Sequence, residues 1–205
     1  KERRGARIPL VDFKEVDMKR KLSIIFGEMH TLDCARQELA LAKRMQETVG
    51  LDYLLMENAF NYVLDTPEKI KDKIRKQDWM IGDVHYNIGL ELGLPIIGID
   101  LDPDVKDNYE INVDTSSDFS QSFSAREKQM VKIFETYRNK GNCLLIVGDT
   151  HLRTVKTDQL GDESPLWTKY KNNKEVMLVR PFGHQREIDQ ELKDKRIVLR
   201  DEINL

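Results

Sequence analysis

Short apolar runs divide the chain into a regular succession of strands. Each run holds three to five residues, is rich in Ile, Leu and Val, and is flanked by polar residues, Gly or Pro, as buried strands are. The strongest runs occupy 22–26, 53–56, 96–99 and 143–147, and weaker runs at 176–179 and 197–199 predict two further strands. The last of these is expected at an edge of the sheet.

Between the strands, apolar residues recur at steps of three and four, which predicts amphipathic helices. The predicted helices span 32–49, 67–76, 78–92 and 124–140. Gly50 and Gly141 mark the ends of the first and the last. Ser124 and Glu127 form a capping box, in which each side chain can cap the backbone N–H of the other, so the last helix is expected to begin at Ser124.

Strands that alternate with helices predict right-handed βαβ crossovers. The expected fold class is therefore α/β, with a mostly parallel β-sheet flanked by helices on both faces. At 205 residues the chain is expected to form a single domain over 1–205. The polar residues 1–20 are expected to form an N-terminal arm, and residues 102–123, rich in Asp, Asn and Ser, to form a loop insertion.

Composition limits the binding partners and the cellular location that can be expected of the protein. The chain is 40% apolar and 34% charged with a formal net charge of −3, which gives no reason to expect nucleic acid as a partner. No apolar run approaches the roughly 20 residues of a membrane-spanning helix, and the basic start lacks the apolar core of a signal peptide. Cys34 and Cys143 are isolated, which favours buried free thiols and a cytoplasmic location. The first residue is not Met, which fits a domain excised from a larger protein or a trimmed chain.

Three of the four histidines close the same tetrad of Gly, acid, any residue and His. Composition alone predicts about 0.04 such tetrads. The tetrads occupy 27–30, 82–85 and 148–151, and the first and third directly follow predicted strands. The glycine lets backbone or substrate approach closely. A strand that delivers an acid and a His at its carboxyl end is a common way for α/β sheets to build active sites.

We therefore expect distant side chains to converge at one rim of the sheet. The carboxyl ends of parallel strands share a rim, and four candidate residues fall at or just beyond such ends: His30, Glu57, Asp100 and His151.

Within a tetrad the acid and the His are two positions apart, so in extended backbone both side chains point the same way. This would pair Glu28 with His30, and Asp149 with His151. Two imidazoles with carboxylates suit general acid–base hydrolysis, one His acting as base and the other as acid. The same donors suit a transition metal, and the residues leave both chemistries open.

Simpler interpretations exist for each residue. Glu28 and Asp149 can cap the helices that follow, and Glu57 can cap a helix or pair with a Lys. His85 lies in a predicted helix with no strand ahead of it, which favours a packed side chain. Arg126 falls in the first turn of its predicted helix, where the dipole favours acids, so it requires a partner such as a site carboxylate or a substrate oxyanion.

The order of these residues resembles the Tiki/TraB, erythromycin-esterase and ChaN-like superfamily, which includes the Ras/Rap1-specific endopeptidase domain of large bacterial toxins. The resemblance covers about residues 22 to 155. The similar features are Gly27-Glu28-Met29-His30 after the first strand, Glu57 after the second, Arg126-Glu127-Lys128-Gln129-Met130 at a helix start, and Gly148-Asp149-Thr150-His151 after the strand at 143–147.

The resemblance implies a hydrolase with this catalytic set: Glu28, His30, Glu57, His151 and Arg126. His30 would activate water as the base, Glu28 and Glu57 would orient it, and His151 would protonate the leaving group. The oxyanion would face Arg126 or the backbone at 148–149.

The activity that this resemblance implies is a site-specific endopeptidase of the bacterial toxin type, with an esterase as the alternative hydrolase. Its substrate would be a protein, more narrowly a small GTPase in the host-cell cytosol. No cofactor is required in this interpretation, with a divalent transition metal as the open alternative, and no feature indicates an oligomeric state.

Two other functions are compatible with the same rim. The first is a haem- or metal-binding module of the ChaN-like type without catalysis, for which Tyr53, Met56 and Tyr86 could supply axial contacts, although all three are more simply core residues. The second is an inactive domain that serves as an interaction surface.

Overall fold

The computed structural model describes residues 21–29, 32–60, 62–76, 80–100, 119–156, 160–180 and 197–199. The strands are β1 (Ser23–Glu28), β2 (Tyr53–Phe60), β3 (Val63–Leu64), β4 (Ile96–Asp100), β5 (Cys143–Gly148), β6 (Val176–Arg180) and β7 (Ile197–Leu199). The helices are α1 (Leu32–Thr48), α2 (Pro67–Arg75), α3 (Met80–Leu92), α4 (Phe119–Arg138) and α5 (Pro165–Tyr170). A 3₁₀ turn, Asp149–Leu152, directly follows β5.

The described strands form one sheet in the order β3-β4-β2-β5-β1-β6-β7. The pairing of β3 with β4 is antiparallel, and every other described pairing is parallel. The predicted α/β class is confirmed, and β7 lies at an edge as expected. The carboxyl ends of β2, β5 and β1 are neighbours at the centre of one rim.

Alternating side chains of the central strands pack on opposite faces of the sheet. Ile24 and Leu54 belong to a core cluster that includes residues of α1, α2 and α3. Ile25 and Leu55 belong to a second cluster, which includes residues of α4 and α5. Helices therefore cover both faces, and the parity of a strand residue decides which helices its side chain meets.

The structure corrects the predicted start of the last long helix. α4 begins at Phe119, so residues 119–123 belong to a helix and not to the loop predicted at 102–123. Ser124 is inside α4 and is not its cap, and Glu127 is buried and contacts other residues. The rest of the predicted loop and the arm at 1–20 lie outside the described residues.

Two short elements were not predicted. β3 has two residues, and α5 has six, too few to produce a clear period. Ser164 caps α5 by accepting a hydrogen bond from the Trp167 amide.

The two cysteines agree with the prediction, since Cys34 and Cys143 are buried and free. Over the described part of the chain, no helix combines the length and apolar character needed to cross a bilayer.

Candidate active site

Glu57 is at the centre of a polar network near the carboxyl ends of β2 and β5. The strand predicted at 53–56 continues to Phe60, so Glu57 lies within β2 and does not follow it as predicted. Its Oε1 lies 3.0 Å from His151 Nε2 and accepts a hydrogen bond of 3.0 Å from Arg126. Its Oε2 accepts the backbone N–H of Gly148 at 2.6 Å. One carboxylate thus contacts an imidazole, a guanidinium and a backbone amide from three separate parts of the chain.

His151 lies in the 3₁₀ turn and is buried, with 1% of its surface exposed. Its Nδ1 is 3.1 Å from Glu127 Oε1, so both ring nitrogens face carboxylates. Glu127 in turn accepts hydrogen bonds from Arg153 on both of its oxygens. The hydroxyl of Ser164 donates to the His151 carbonyl at 2.6 Å, which fixes the backbone of the turn against α5.

Arg126 connects this network to β4. Its guanidinium donates to Asp100 at 2.9 and 2.5 Å, in addition to the bond to Glu57. The expected partner, a site carboxylate, is therefore present. The reason given for expecting it was wrong, because Arg126 is about two turns into α4 and not in its first turn.

Six side chains of alternating charge form a continuous series, which we call the ion-pair chain. In order along the series they are Asp100, Arg126, Glu57, His151, Glu127 and Arg153. Because positive and negative side chains alternate, each charge in the series lies beside an opposite charge, which offsets the cost of burying it.

Electrostatics within the ion-pair chain shift two pKa values in opposite directions. Burial alone would raise the pKa of Glu57, but His151, the Gly148 amide and Arg126 together lower it to about 2. Burial alone would lower the pKa of His151, but Glu57 and Glu127 raise it to about 9. At neutral pH the pair is therefore carboxylate and imidazolium.

These shifts predict that stability falls at both ends of the pH scale. The contribution of His151 is complete below its ordinary pKa of 6.5 and is lost as pH rises through about 9. The contribution of Glu57 is complete above 4.5 and is lost as pH falls towards about 2. Urea unfolding across this range measures both limbs, and His151→Gln should reduce the alkaline one, to which His85, whose pKa is raised to about 10, also contributes. An unchanged alkaline limb in that variant would contradict the shift of His151.

Glu28 lies on the opposite face of the sheet from Glu57. It shares the parity of Ile24 on β1, whereas Glu57 shares the parity of Leu55 on β2. The structure therefore brings three members of the predicted catalytic set together, namely Glu57, Arg126 and His151. It places Glu28 elsewhere, and His30 lies outside the described residues.

Glu28 belongs to a second cluster, which we call the His85 cluster: Glu28, Glu38 and His85. His85 Nε2 is 3.2 Å from Glu28 Oε2 and 2.7 Å from Glu38 Oε2. Burial alone would lower the pKa of His85, but the two carboxylates raise it to about 10. His85 is a packed side chain, as expected, and it packs against the carboxylates of Glu28 and Glu38. Among the described residues, this cluster is the group whose donor atoms are spaced for a metal ion.

The acids of the two strand-linked tetrads lie in different backbone geometries, since Glu28 is the last residue of β1 and Asp149 is the first of the 3₁₀ turn. Asp149 and His151 lie in a 3₁₀ turn instead of extended backbone, and Asp149 accepts two hydrogen bonds from Arg180 at 2.8 and 2.6 Å. The expectation that they point the same way as in a strand was therefore wrong. A Cβ at Gly27 would lie 3.0 Å from Asp149 Oδ1, so the close approach expected at that glycine is present.

One expected oxyanion donor is already engaged. The Gly148 N–H donates to Glu57, so the backbone at 148–149 does not offer that amide to a substrate. The candidates named from the sequence that remain are the Asp149 N–H and Arg126, whose side chain is 20% exposed.

Sequence reasoning missed the supporting residues of the site. Glu127 was assigned to a helix cap, and no role was predicted for Arg153 or Ser164. Their signal was weak: Arg153 follows His151 by two residues, and Ser164 precedes Pro165 in a pattern typical of a helix start.

The side chains considered as haem ligands lie within the fold. Met56 and Tyr86 are buried in the core, and the Tyr86 hydroxyl is 3.1 Å from that of Tyr62. Tyr53 packs edge-on against Tyr137.

A cavity of about 520 Å³ adjoins the Arg153 end of the ion-pair chain. Lys128 and Arg153 line it together with Asp162 and Glu163, so its wall carries charges of both signs.

Comparison with known proteins finds similarity to a solved structure. No protein-family model matches the chain, and no curated protein matches it. The chain is similar to the crystal structure of RRSP, a MARTX toxin effector domain from Vibrio vulnificus CMCP6, with a TM-score of 0.49 and 14% identity. The match covers 90% of this chain and 38% of the other, so the chain spans well under half the length of that structure. Similarity at this level assigns neither a family nor an activity.

Proposed function

We propose that the chain is a hydrolase of the toxin-effector type that cleaves a peptide bond in a protein substrate. The observation that carries the proposal is the contact of Glu57 with both His151 and Arg126 at the rim where the central parallel strands end. Such a rim is the usual position for the active site of an open α/β sheet.

The protonation states support the following roles. His151, an imidazolium at neutral pH, is the acid that gives its proton to the leaving amine. His30 is the base that takes a proton from the attacking water; it follows β1, whose Glu28 is paired with Gly148 at the end of β5. Arg126 faces the oxygen that becomes negatively charged when water adds to the carbonyl.

Glu57 is the group between His151 and the solvent. It remains a carboxylate at neutral pH, and 13% of its side chain is exposed, against 2% for His151. We infer that substrate binding displaces the Glu57 carboxylate from Nε2, after which the His151 proton can reach the leaving amine. Glu57 then stabilises the positive charge of Arg126, with which it stays in contact.

The protein substrate, and more narrowly a small GTPase, is supported by the sequence resemblance. The cavity beside Arg153 has the volume of a typical ligand pocket, and its charged wall suits polar side chains of a peptide.

The direct test is a proteolysis assay. The purified chain is incubated with Ras- and Rap1-type GTPases, with an unfolded protein and with a small ester, each with and without a chelator. We expect cleavage of a protein substrate at a defined site, with His30→Ala reducing turnover by about 10²–10⁴-fold. Circular dichroism checks that the variant is folded.

For each part of the assay, one result would contradict the proposal. Full activity in the His30→Ala variant removes His30 from the mechanism. Cleavage of the ester alone replaces the peptidase by an esterase, and no hydrolysis of any substrate refutes the hydrolase. Turnover that a chelator leaves unchanged excludes a metal from the catalytic step.

A further inference from the structure

The His85 cluster takes no part in the proposed hydrolysis, although two of the three tetrads contribute to it. Glu28 comes from β1, Glu38 from α1 and His85 from α3, and 2% or less of each residue is exposed. Three separate elements thus bring an imidazole and two carboxylates into a closed space where burial without compensation is costly.

The donor atoms have the spacing of a metal-ligand set. One donor atom of each residue lies within 4.8 Å of the other two, and His85 Nε2 is 2.7 and 3.2 Å from the two carboxylates. Bonds of about 2.0–2.2 Å from one ion to its N and O donors place those donors about 3–3.5 Å apart. Small side-chain movements would therefore open the cluster around an ion.

The placement of His85 between the two acids adds a second observation. Its ring is fully buried, and Nε2 lies close to the carboxylates of both Glu28 and Glu38, although a single N–H can be aimed at only one of them. An imidazole that only filled space would need one acceptor for each N–H. Two carboxylates that converge on one ring nitrogen are better suited to surrounding a cation.

Charge and donor type specify the ion. Two glutamates and a neutral imidazole would be balanced by one divalent cation, leaving a neutral buried centre. Imidazole nitrogen favours transition metals, whereas a site for Ca²⁺ uses six to eight oxygens.

We propose that Glu28, Glu38 and His85 bind one divalent transition-metal ion of the Zn²⁺ or Mn²⁺ type. The ion would join the end of β1 to α1 and α3, on the face of the sheet opposite to the ion-pair chain. This site is independent of the proposed hydrolase activity, because it is defined by binding and not by turnover.

Metal binding to the stripped chain tests the proposal. The chain is freed of metal with a chelator, and Zn²⁺ is titrated against a competing indicator. We expect one ion per chain, and an affinity reduced at least about tenfold in Glu38→Gln and His85→Gln. Glu47→Gln, an exposed position on α1, and His151→Gln should bind as the unchanged chain does.

Two measurements keep the result independent of how well the variants fold. Mn²⁺ bound to the unchanged chain should show one coordinated imidazole nitrogen by electron spin-echo spectroscopy, and Zn²⁺ should raise its Tm. The proposal is overturned if the unchanged chain binds no ion. It is equally overturned if His85→Gln binds as tightly as the unchanged chain, if binding is lost in His151→Gln instead, or if the Mn²⁺ signal shows no nitrogen or two.

Discussion

Replacing His151 by Gln should lower kcat/KM for protein cleavage by about 10²–10⁴-fold while the chain stays folded. Glutamine can still bridge Glu57 and Glu127 by hydrogen bonds, but it has no proton to give to the leaving amine. The unchanged chain should also lose activity as pH rises through about 9, where the imidazolium is deprotonated. Steady-state kinetics as a function of pH measure both effects.

The control for this variant is His184→Gln, the same substitution at a histidine to which no role is assigned. It should retain activity within a few fold, which separates loss of the acid from a general effect of the substitution. If His151→Gln keeps more than a tenth of the activity, or keeps the alkaline limb of the profile, His151 is not the acid.

Replacing Arg153 by Met should reduce the free energy of unfolding by about 3–5 kcal/mol, the usual cost of removing one member of a buried ion pair. Glu127 is fully buried and accepts hydrogen bonds from Arg153 on both oxygens, so the substitution leaves a buried carboxylate with its charge poorly compensated. Urea unfolding of the unchanged chain and the variant measures the difference.

Two further variants test whether the loss of stability in Arg153→Met comes from the burial of the Glu127 charge. Arg138→Met removes a more exposed guanidinium from Glu135 and should cost no more than about 1 kcal/mol. Adding Glu127→Gln to Arg153→Met removes both charges and should recover part of the loss. If Arg153→Met costs no more than Arg138→Met, the pair contributes little to stability.

The strands and long helices could be predicted because burial of apolar residues decides them. Five-residue runs such as 143–147 have few alternatives to a central strand, and the repeat from Leu32 to Thr48 produces one apolar face. The start of α4 was misplaced because a local capping pattern at Ser124 competed with packing that carries the helix back to Phe119.

The contact between Glu57 and His151 could be predicted from strand order. Glu57 lies in the second half of β2, and His151 lies in the turn that follows β5, its parallel neighbour, so their meeting at one rim could be expected from topology. Glu28 could not be placed this way, because which face its side chain meets depends on the helices that cover that face. Glu127 was missed for a related reason, since its role depends on Arg153, an ion pair that no local pattern encodes.

The residue at position 57 has to meet two requirements, because its side chain accepts the Gly148 amide and also contacts His151. The pairing of β2 with β5 runs from Tyr53 and Cys143 to Met56 and Ile146, and beyond it the Glu57 side chain takes the place of a strand carbonyl. A glutamine there could keep the amide bond but would lose the charge, and an aspartate is one methylene shorter. The substitutions that position 57 can accept are therefore limited by the architecture of the sheet as well as by the contacts at the rim.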